Sequence, residues 1–382
     1  MNDSQKIAFL CCVHRWDDTR VLHKEAAHFA RSGYEATVVA PGESRKSWKQ
    51  EEQGVEIITF KKVVGLLGRL RNMLRALAIV RLSGFDVLHC CEVEAWIVGV
   101  WHRLFNRHVK VVFDVHEVYS HYYCDRFLPA GTRTLGVVSI RLFFRIMTLW
   151  TDLLVFAKLG AQLDFRRIRC DCVFALNYVE KSRLQIRPNE SDATSKWFAV
   201  HVGVFARERG WPQLLEALSL TKNRGINVLL LGTINEGKEE LLKEARRLGV
   251  EECITIIEQV PYAEVFDYLA KCTVGLMLYQ PGFVNHVYAF PLKLYDYMAV
   301  GLPVIAPDFS LEVIPVIEEV GNGILVDSSS SQAIANALDK MFEERQEYEE
   351  RGKRGPDAIV ENYNWDEQFQ GMRDSYEKMF AS

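Results

Sequence analysis

The chain has 382 residues, of which 49% are hydrophobic and 25% charged, and its formal net charge is −4. This is ordinary globular usage, which excludes a disordered chain, a collagen or a coiled coil and predicts two domains or one large one. The slight acidic excess excludes a dedicated nucleic-acid binder, which carries a basic surplus.

The first predicted element is a buried parallel strand, Lys6 to Cys12. A polar loop, His14 to Arg20, precedes a helical pattern from Val21 to Ser32 that stops at Gly33. Glu35 to Ala40 is the next strand, closed by Pro41-Gly42. Strand, helix, strand at this spacing is a βαβ unit, which places ligands at strand C-terminal ends. The series continues with strand Val55 to Phe60, helix Lys62 to Arg81, and strands Phe85 to His89, Val109 to Asp114, Thr151 to Phe156 and Asp171 to Leu176.

The polar stretch Lys181 to Lys196, with Pro188 and Asn189, reads as a linker. A second α/β series follows. Its strands are Trp197 to Val202, Asn227 to Leu231, Ile254 to Ile257, Val274 to Tyr279, Pro303 to Ala306 and Gly323 to Val326. Its helices are Gln213 to Lys222, Lys238 to Leu248, Ala263 to Ala270 and Pro291 to Val300, with Gln332 to Phe342 and Asp366 to Phe380 in the tail. The expected architecture is two Rossmann-like, doubly wound parallel-sheet domains: residues 1–180, a linker 181–196, residues 197–362, and a C-terminal helical segment 363–382 packing back toward the first domain. Two such domains are expected to form a cleft lined by strand ends.

Nine cysteines cannot all pair within one chain, and the polar start Met1-Asn2-Asp3-Ser4-Gln5 lacks the basic region of a secretory signal. A reducing cytoplasm is the expected setting. Cys11-Cys12, Cys90-Cys91 and Cys170-x-Cys172 lack zinc spacings and are expected to be buried strand residues rather than metal ligands. The most apolar stretch, Leu135 to Phe156, is broken by Arg141, Arg145 and Asp152, so no membrane span is expected.

No strand is followed by the G-x-G-x-x-G dinucleotide fingerprint. Gly232 to Lys238 resembles a phosphate loop, but Glu239 stands where a Mg²⁺-binding hydroxyl is needed, so ATP hydrolysis is not expected. Gly232 still allows a ligand close to the backbone. The richest stretch is Phe290-Pro-Leu-Lys-Leu-Tyr-Asp-Tyr-Met-Ala-Val-Gly-Leu-Pro-Val-Ile305. Pro291 suits a helix start and Gly301 its stop. A loop, Gln280 to His286, feeds that helix N-terminus, which is a ready anion site to which Lys293 adds charge. Asp296 is placed to accept from ribose hydroxyls. The residues alone leave open an ordinary buried helix in which Asp296 caps or pairs.

This stretch resembles the nucleotide-sugar signature of GT-B glycosyltransferases of the retaining family 4 (group 1) type. His23-Lys24-Glu25-Ala26 with Gly33 to Val38, Phe85 to His89, Asp114-Val-His-Glu117, Gly203 to Gly210 and Tyr363-Asn364-Trp365 resemble further family segments, in order and over nearly the whole chain. Three departures stand out. Asp296 replaces a Glu, Tyr288 occupies the other carboxylate position of the pair, and Val204 follows Gly203 where a cation is usual. Asn285 or His286 would replace the donor-sugar contact, and Lys293 or Arg207 the missing phosphate cation.

The resemblance implies a retaining transfer of sugar from a nucleoside-diphosphate sugar to a hydroxyl of a glycan or lipid-linked glycan, in polysaccharide or glycoconjugate synthesis. Gly203, Arg209, Gly232, Asn285, His286, Lys293 and Asp296 are the implied donor-binding residues, and His116, Arg209 and Lys293 the implied catalytic ones. Asp17, Asp18, Arg20, His23 and Glu117 are candidates for the acceptor side. For the first four the alternative is a capped helix start, and for Glu117 a cap on the next helix. Asn177 falls at an inter-domain turn. No D-x-D triplet occurs, so no metal cofactor is expected. The rival readings are a nucleotide-sugar epimerase of the same fold, separable by donor isomerisation without acceptor, and a non-catalytic sugar-binding subunit.

The segment 61–81 carries six Lys or Arg and no acidic residue. Leu66, Leu67, Leu70, Met73, Leu74 and Leu77 fall on one helical face. The expectation is that this stripe packs into the core and the basic edge meets an anionic membrane, making the protein peripheral.

Overall fold

The computed structural model describes residues 4–50, 53–184, 197–235 and 237–381. The chain forms two compact units, one running to Asn177 and resuming at Trp365, the other Tyr178–Asn364. Of the predicted linker, Lys181–Arg183 form a single turn of 3-10 helix, and residues 185–196 lie outside the described residues.

The first unit holds eight strands: β1 Lys6–Leu10, β2 Glu35–Gly42, β3 Lys46–Gln50, β4 Val55–Lys61, β5 Val87–Cys90, β6 Lys110–Val115, β7 Leu153–Phe156 and β8 Asp171–Phe174. Their order is β3-β4-β2-β1-β5-β6-β7-β8, and every pair is parallel except β3 with β4. Strands such as Val87–Cys90 are buried along their whole length, as a parallel sheet covered on both faces requires. The second unit holds β9 Trp197–Val202, β10 Ile226–Leu231, β11 Ile254–Ile257, β12 Val274–Leu276, β13 Val304–Pro307 and β14 Gly323–Val326, all parallel, in the order β11-β10-β9-β12-β13-β14. The winding reverses between β1 and β5 in the first sheet and between β9 and β12 in the second. In open α/β sheets the crevice beyond that reversal binds ligands.

The helix after β1 departs from a regular α-helix. Thr19–Ala26 is a π-helix that continues as the α-helix Ala27–Arg31. The widened turn buries Arg20, Lys24 and Glu25 together with Val21 and Leu22. The last helix, Trp365–Ala381, belongs to the first unit. Its Trp365, Phe369, Met372, Tyr376 and Met379 join the core that holds Phe9, Phe29 and Val155.

The helix Leu66–Ser83 corrects the expectation of a buried leucine stripe. Leu66 is 86% exposed, Leu67 76% and Leu74 58%. The inward face is instead Gly68, Asn72, Ala76, Ile79 and Val80, with Met73 and Leu77 partly buried against the core. A Cβ on Gly68 would lie 2.6 Å from the Val63 carbonyl oxygen. Asn72 accepts from the Val63 N–H at 3.1 Å and donates to the carbonyls of Val63 at 3.1 Å and Cys12 at 3.3 Å. Close backbone approach and a satisfied amide, rather than leucine burial, set the rotation of this helix.

Candidate functional site

Each unit carries a polar cluster at its winding reversal. In the second unit, β9 runs into Gly203, whose φ is +94°, and β10 into Gly232, whose φ is +139°. A Cβ on Gly232 would fall 2.2 Å from the Gly203 carbonyl oxygen, so the loops meet because residue 232 is glycine, while Gly203 is needed for its positive φ rather than for space. The turn Arg207–Arg209 then ends at Gly210, where a Cβ would strike the Leu278 carbonyl oxygen at 2.3 Å.

This geometry carries Arg209 to the ring of Tyr279, just beyond β12, with its Cζ 5.7 Å from the ring centroid. The Lys293 ammonium lies 5.7 Å from the same centroid. His286 packs against that ring too, at 5.0 Å, while its Nδ1 faces the Gln280 carbonyl at 2.8 Å. Three of the sequence-derived donor residues thus converge on one tyrosine. Burial and the Arg209 charge push the Lys293 ammonium well below the ordinary lysine value, although Asp296 opposes the shift. Neither cation has a carboxylate ion-pair partner among the described residues. Two basic groups held together, with no ion-paired carboxylate and only the more distant charge of Asp296 opposing them, form an anion site.

Arg207 does not take part. It pairs with Glu240 and stacks over Trp211 at 4.7 Å, so of the two proposed replacements for the missing loop cation only Lys293 is at the site. Asp296 is 2% exposed and accepts a 2.7 Å hydrogen bond from the Tyr262 hydroxyl. Asn285 is half-buried in the short helix Val284–Val287. Sequence reasoning missed Tyr279 and also Tyr297. The Tyr297 hydroxyl accepts from the Val202 N–H at 3.1 Å and faces the Val200 and Leu276 carbonyls at 3.1 and 3.3 Å. It fixes the helix Leu292–Ala299 to the ends of β9 and β12, and Gly275 makes room, since a Cβ there would lie 2.3 Å from the Tyr297 ring.

In the first unit, His116 follows β6, and its Nε2 is bonded to the Asp114 carboxylate. Asp114 is fully buried and grips Arg20 with two hydrogen bonds of 2.8 Å. Arg20 also donates to the Ala175 carbonyl at 2.8 Å and meets Glu25 at 2.9 Å. The chain continues from Glu25 to His89 Nε2 at 3.1 Å, and His89 Nδ1 lies 2.5 Å from the Tyr376 hydroxyl. Burial favours neutral forms here, and at Glu25 burial and the Asp114 charge raise the carboxyl, but at the other members the charges override it. Arg20 and His116 hold Asp114 well below the usual carboxylate range, and Glu25 with Asp114 lifts His89 to about 9. Asp114 likewise raises His116 against the pull of burial. His116 is the member that reaches solvent, with its side chain 16% exposed, and its ring stacks on His14 at 5.6 Å.

This network corrects the acceptor-side expectation for Arg20, which is 5% exposed and consumed by internal ion pairs. Asp18 is the cap of the helix start, accepting from the Arg20 and Val21 N–H groups at 2.9 and 3.1 Å. Asp17 forms a two-point pair with Arg15 at the surface. His23 is half-buried with Nδ1 2.6 Å from Gln53 Nε2, and Glu117 pairs with Lys158. Asn177 accepts from the Lys24 ammonium at 2.8 Å. Sequence reasoning also missed Glu92, just beyond β5, and its neighbour His14. Glu92 is 3% exposed, and its Oε1 accepts from the Cys12 and Val13 N–H groups. Its Oε2 lies 3.6 Å from His14 Nδ1, and burial raises its carboxyl above the usual value.

Glu25, His89 and Cys91 bring ligand-type atoms within 4.8 Å of one another. Arg20, already a cation beside Glu25, counts against a metal ion there. All nine cysteines are free, and those at 11, 12, 90, 91, 124 and 272 are buried.

Two parallel-sheet units, one with Arg209 and Lys293 gathered beyond its strands and the other with an oriented histidine, have the build of a GT-B glycosyltransferase. Residues 182–358 match the model for glycosyl transferases group 1, and residues 19–149 match that for a glycosyl transferase 4-like domain. The chain belongs to the group 1 glycosyltransferases. Similar solved structures include sucrose-phosphate synthase from Thermosynechococcus elongatus, with a TM-score of 0.75 and 16% identity over 99% of this chain and 100% of that one. Anabaena HepE, solved with UDP and glucose, gives 0.72 and 16% over 98% and 99%. The lipopolysaccharide outer core galactosyltransferase WaaB gives 0.66 and 15% over 98% and 99%. No curated protein matches the chain.

Proposed function

We propose that this glycosyltransferase takes a nucleoside-diphosphate sugar as donor and transfers its sugar, with retention, to a hydroxyl of a glycan or lipid-linked glycan in polysaccharide or glycoconjugate synthesis. The observation that carries the donor assignment is the convergence of Arg209 and Lys293, neither ion-paired to a carboxylate among the described residues, on the ring of Tyr279. A diphosphate seated there gains charge-assisted hydrogen bonds, and the same cations stabilise the negative charge that builds on the leaving phosphate. That is binding stronger in the transition state than in the ground state, and it supplies the role a metal would otherwise take. Asp296 holds the ribose, and His116, oriented by Asp114, acts on the transferred sugar. The structural likeness to a protein solved with UDP supports a uridine nucleotide as the first to test. The test is a thermal-shift panel of nucleoside diphosphates with and without EDTA. Ligand at about 100 times its Kd adds about 2.7 kcal/mol, so the right base stands out. A flat panel, or stabilisation abolished by EDTA, overturns the reading.

No helix among the described residues is long and apolar enough to cross a membrane. Association with an anionic membrane surface is proposed through the segment 61–81. It is supported by the outward leucines of the helix Leu66–Ser83 and by the exposed Arg71 among them. Apolar insertion flanked by basic residues is the signature of an interfacial helix. Vesicle co-sedimentation checks it: binding that ignores lipid charge, or that survives Leu66→Gln with Leu67→Gln and Arg71→Glu, refutes it.

A further inference from the structure

A hollow of about 690 Å³ opens in the first unit beyond the C-terminal ends of β2 and β4. Trp16 and Trp48 stand in its wall edge to face, 5.2 Å apart at 84°. Both are half-buried against the core beneath, so their rings are held rather than loose. Lys46, Lys61 and Lys62 line the same space with Arg15. Arg15 is taken up by Asp17, but the three lysines form no ion pair among the described residues, and Glu43 is the single carboxylate of the lining. The hollow connects to the polar cluster through three consecutive residues. His14 stacks on His116, Arg15 follows, and Trp16 forms the wall.

We propose that this hollow binds an anionic saccharide group of the acceptor, a sugar bearing a phosphate or a carboxylate; the acceptor role rests on the glycosyltransferase reading above. The tryptophans offer apolar faces for the C–H side of a pyranose ring, and the lysines neutralise its charged substituent. A neutral glycan leaves the three ammonium groups with only Glu43 and water to balance them, and a bare anion leaves the tryptophan faces uncovered. The hollow therefore selects for the combination of ring and charge.

The experiment uses the full chain and ligand-observed NMR with glucose 6-phosphate, glucuronate, glucose and inorganic phosphate as probes. UDP affinity is measured on the same samples. The comparison variant is Lys46→Gln with Lys61→Gln and Lys62→Gln, all at solvent-facing positions. Glucose 6-phosphate or glucuronate is expected to bind at least about tenfold more tightly than glucose or phosphate alone, and the triple variant to lose about tenfold or more, with UDP affinity and Tm unchanged. The relative strengths of the two acidic sugars tell which anion the acceptor carries. Equal binding of glucose, equal binding of inorganic phosphate, or a triple variant that binds as wild type overturns the proposal. Failure of UDP to bind the wild-type chain would strike the donor assignment alone.

Discussion

Lys293 Nζ lies 3.1 Å from His201 Nε2, and both groups are buried. The same ring nitrogen lies 3.2 Å from the Val204 carbonyl oxygen. It accepts from a protonated lysine or donates to the carbonyl, but not both at once. Burial and the Lys293 charge hold His201 well below its ordinary value, so the ring is neutral, and Lys293 itself is pushed down by burial and Arg209. A bound diphosphate reverses that pressure on Lys293. Nucleotide binding is therefore expected to take up a proton at any pH between the lowered value of Lys293 and the ordinary 10.5, with affinity falling as pH rises across that window. Calorimetry in buffers of different ionisation heat measures the uptake. Lys293→Met should abolish it, and uptake persisting in that variant would refute the assignment.

Arg209 and Asp296 are expected to respond differently to truncation. Arg209 is half-buried and pairs with no carboxylate among the described residues, so Arg209→Ala should cost nucleotide affinity about tenfold or more and leave Tm unchanged. Asp296→Ala also strands the half-buried Tyr262 hydroxyl, so it should lower stability by about 1 kcal/mol as well as affinity. Asp296→Asn keeps an acceptor for Tyr262 and should recover the stability but not the full affinity. Denaturant titration beside UDP binding separates these outcomes.

His116→Ala is expected to reduce kcat on the order of 100-fold while nucleotide affinity changes little, as befits a group acting on the sugar in the transition state. Asp114 cannot serve as an equivalent probe, because it also neutralises Arg20 in the core. Parallel losses of turnover and UDP affinity in the His116 variant would assign the residue to binding or folding.

His89 gives a pH signature of stability. Its folded value, about 9, lies above the ordinary 6.5, so the folded state holds the proton more tightly. Its contribution is fully present below 6.5 and is lost as pH rises through 9. The stability of wild type relative to His89→Gln should therefore decline across that window by on the order of 2 kcal/mol. A difference that stays constant from pH 6 to about 9.5 would mean the ring is neutral in the fold.

The regular βα alternation was legible because each strand is a short apolar run closed by a turn residue. Helix Lys238–Leu248 and strands Ile254–Ile257 and Gly323–Val326 match their predicted limits. Strand β3 was not legible: Lys46-Ser-Trp-Lys-Gln50 has one apolar residue, and it sits at a sheet edge. The helix Val93–Phe105 was missed for the opposite reason. It is apolar nearly all round, and a buried helix of that kind shows no 3.6-residue stripe.

In the candidate site, Arg209, Lys293 and His286 could be named from motif positions, but Tyr279 could not. An aromatic residue at a strand end reads as core, and nothing local says that two distant cations will share its ring. Arg20 misled for a related reason. In a polar loop it reads as solvated, whereas its partner Asp114 lies 94 residues further along the chain. The available hint was the charged run Lys24-Glu25 embedded among Val21, Leu22 and Ala26 on what had to be an inward face.

The return of the helix Trp365–Ala381 to the first unit has a consequence for biosynthesis. The ribosome delivers residues up to Asn177 early, yet the sheet they form lacks part of its cover, and His89 lacks the Tyr376 hydroxyl, until the far end of the chain emerges. At elongation rates of about 5–20 residues per second, that interval is roughly 10–40 s. Throughout it, the nascent first unit exposes the apolar surface around Phe29 that Phe369 and Tyr376 later cover. The second unit is contiguous in sequence and can close meanwhile. The amino-terminal half is thus the last to mature, and its waiting surface is where a chaperone would be expected to hold the growing chain.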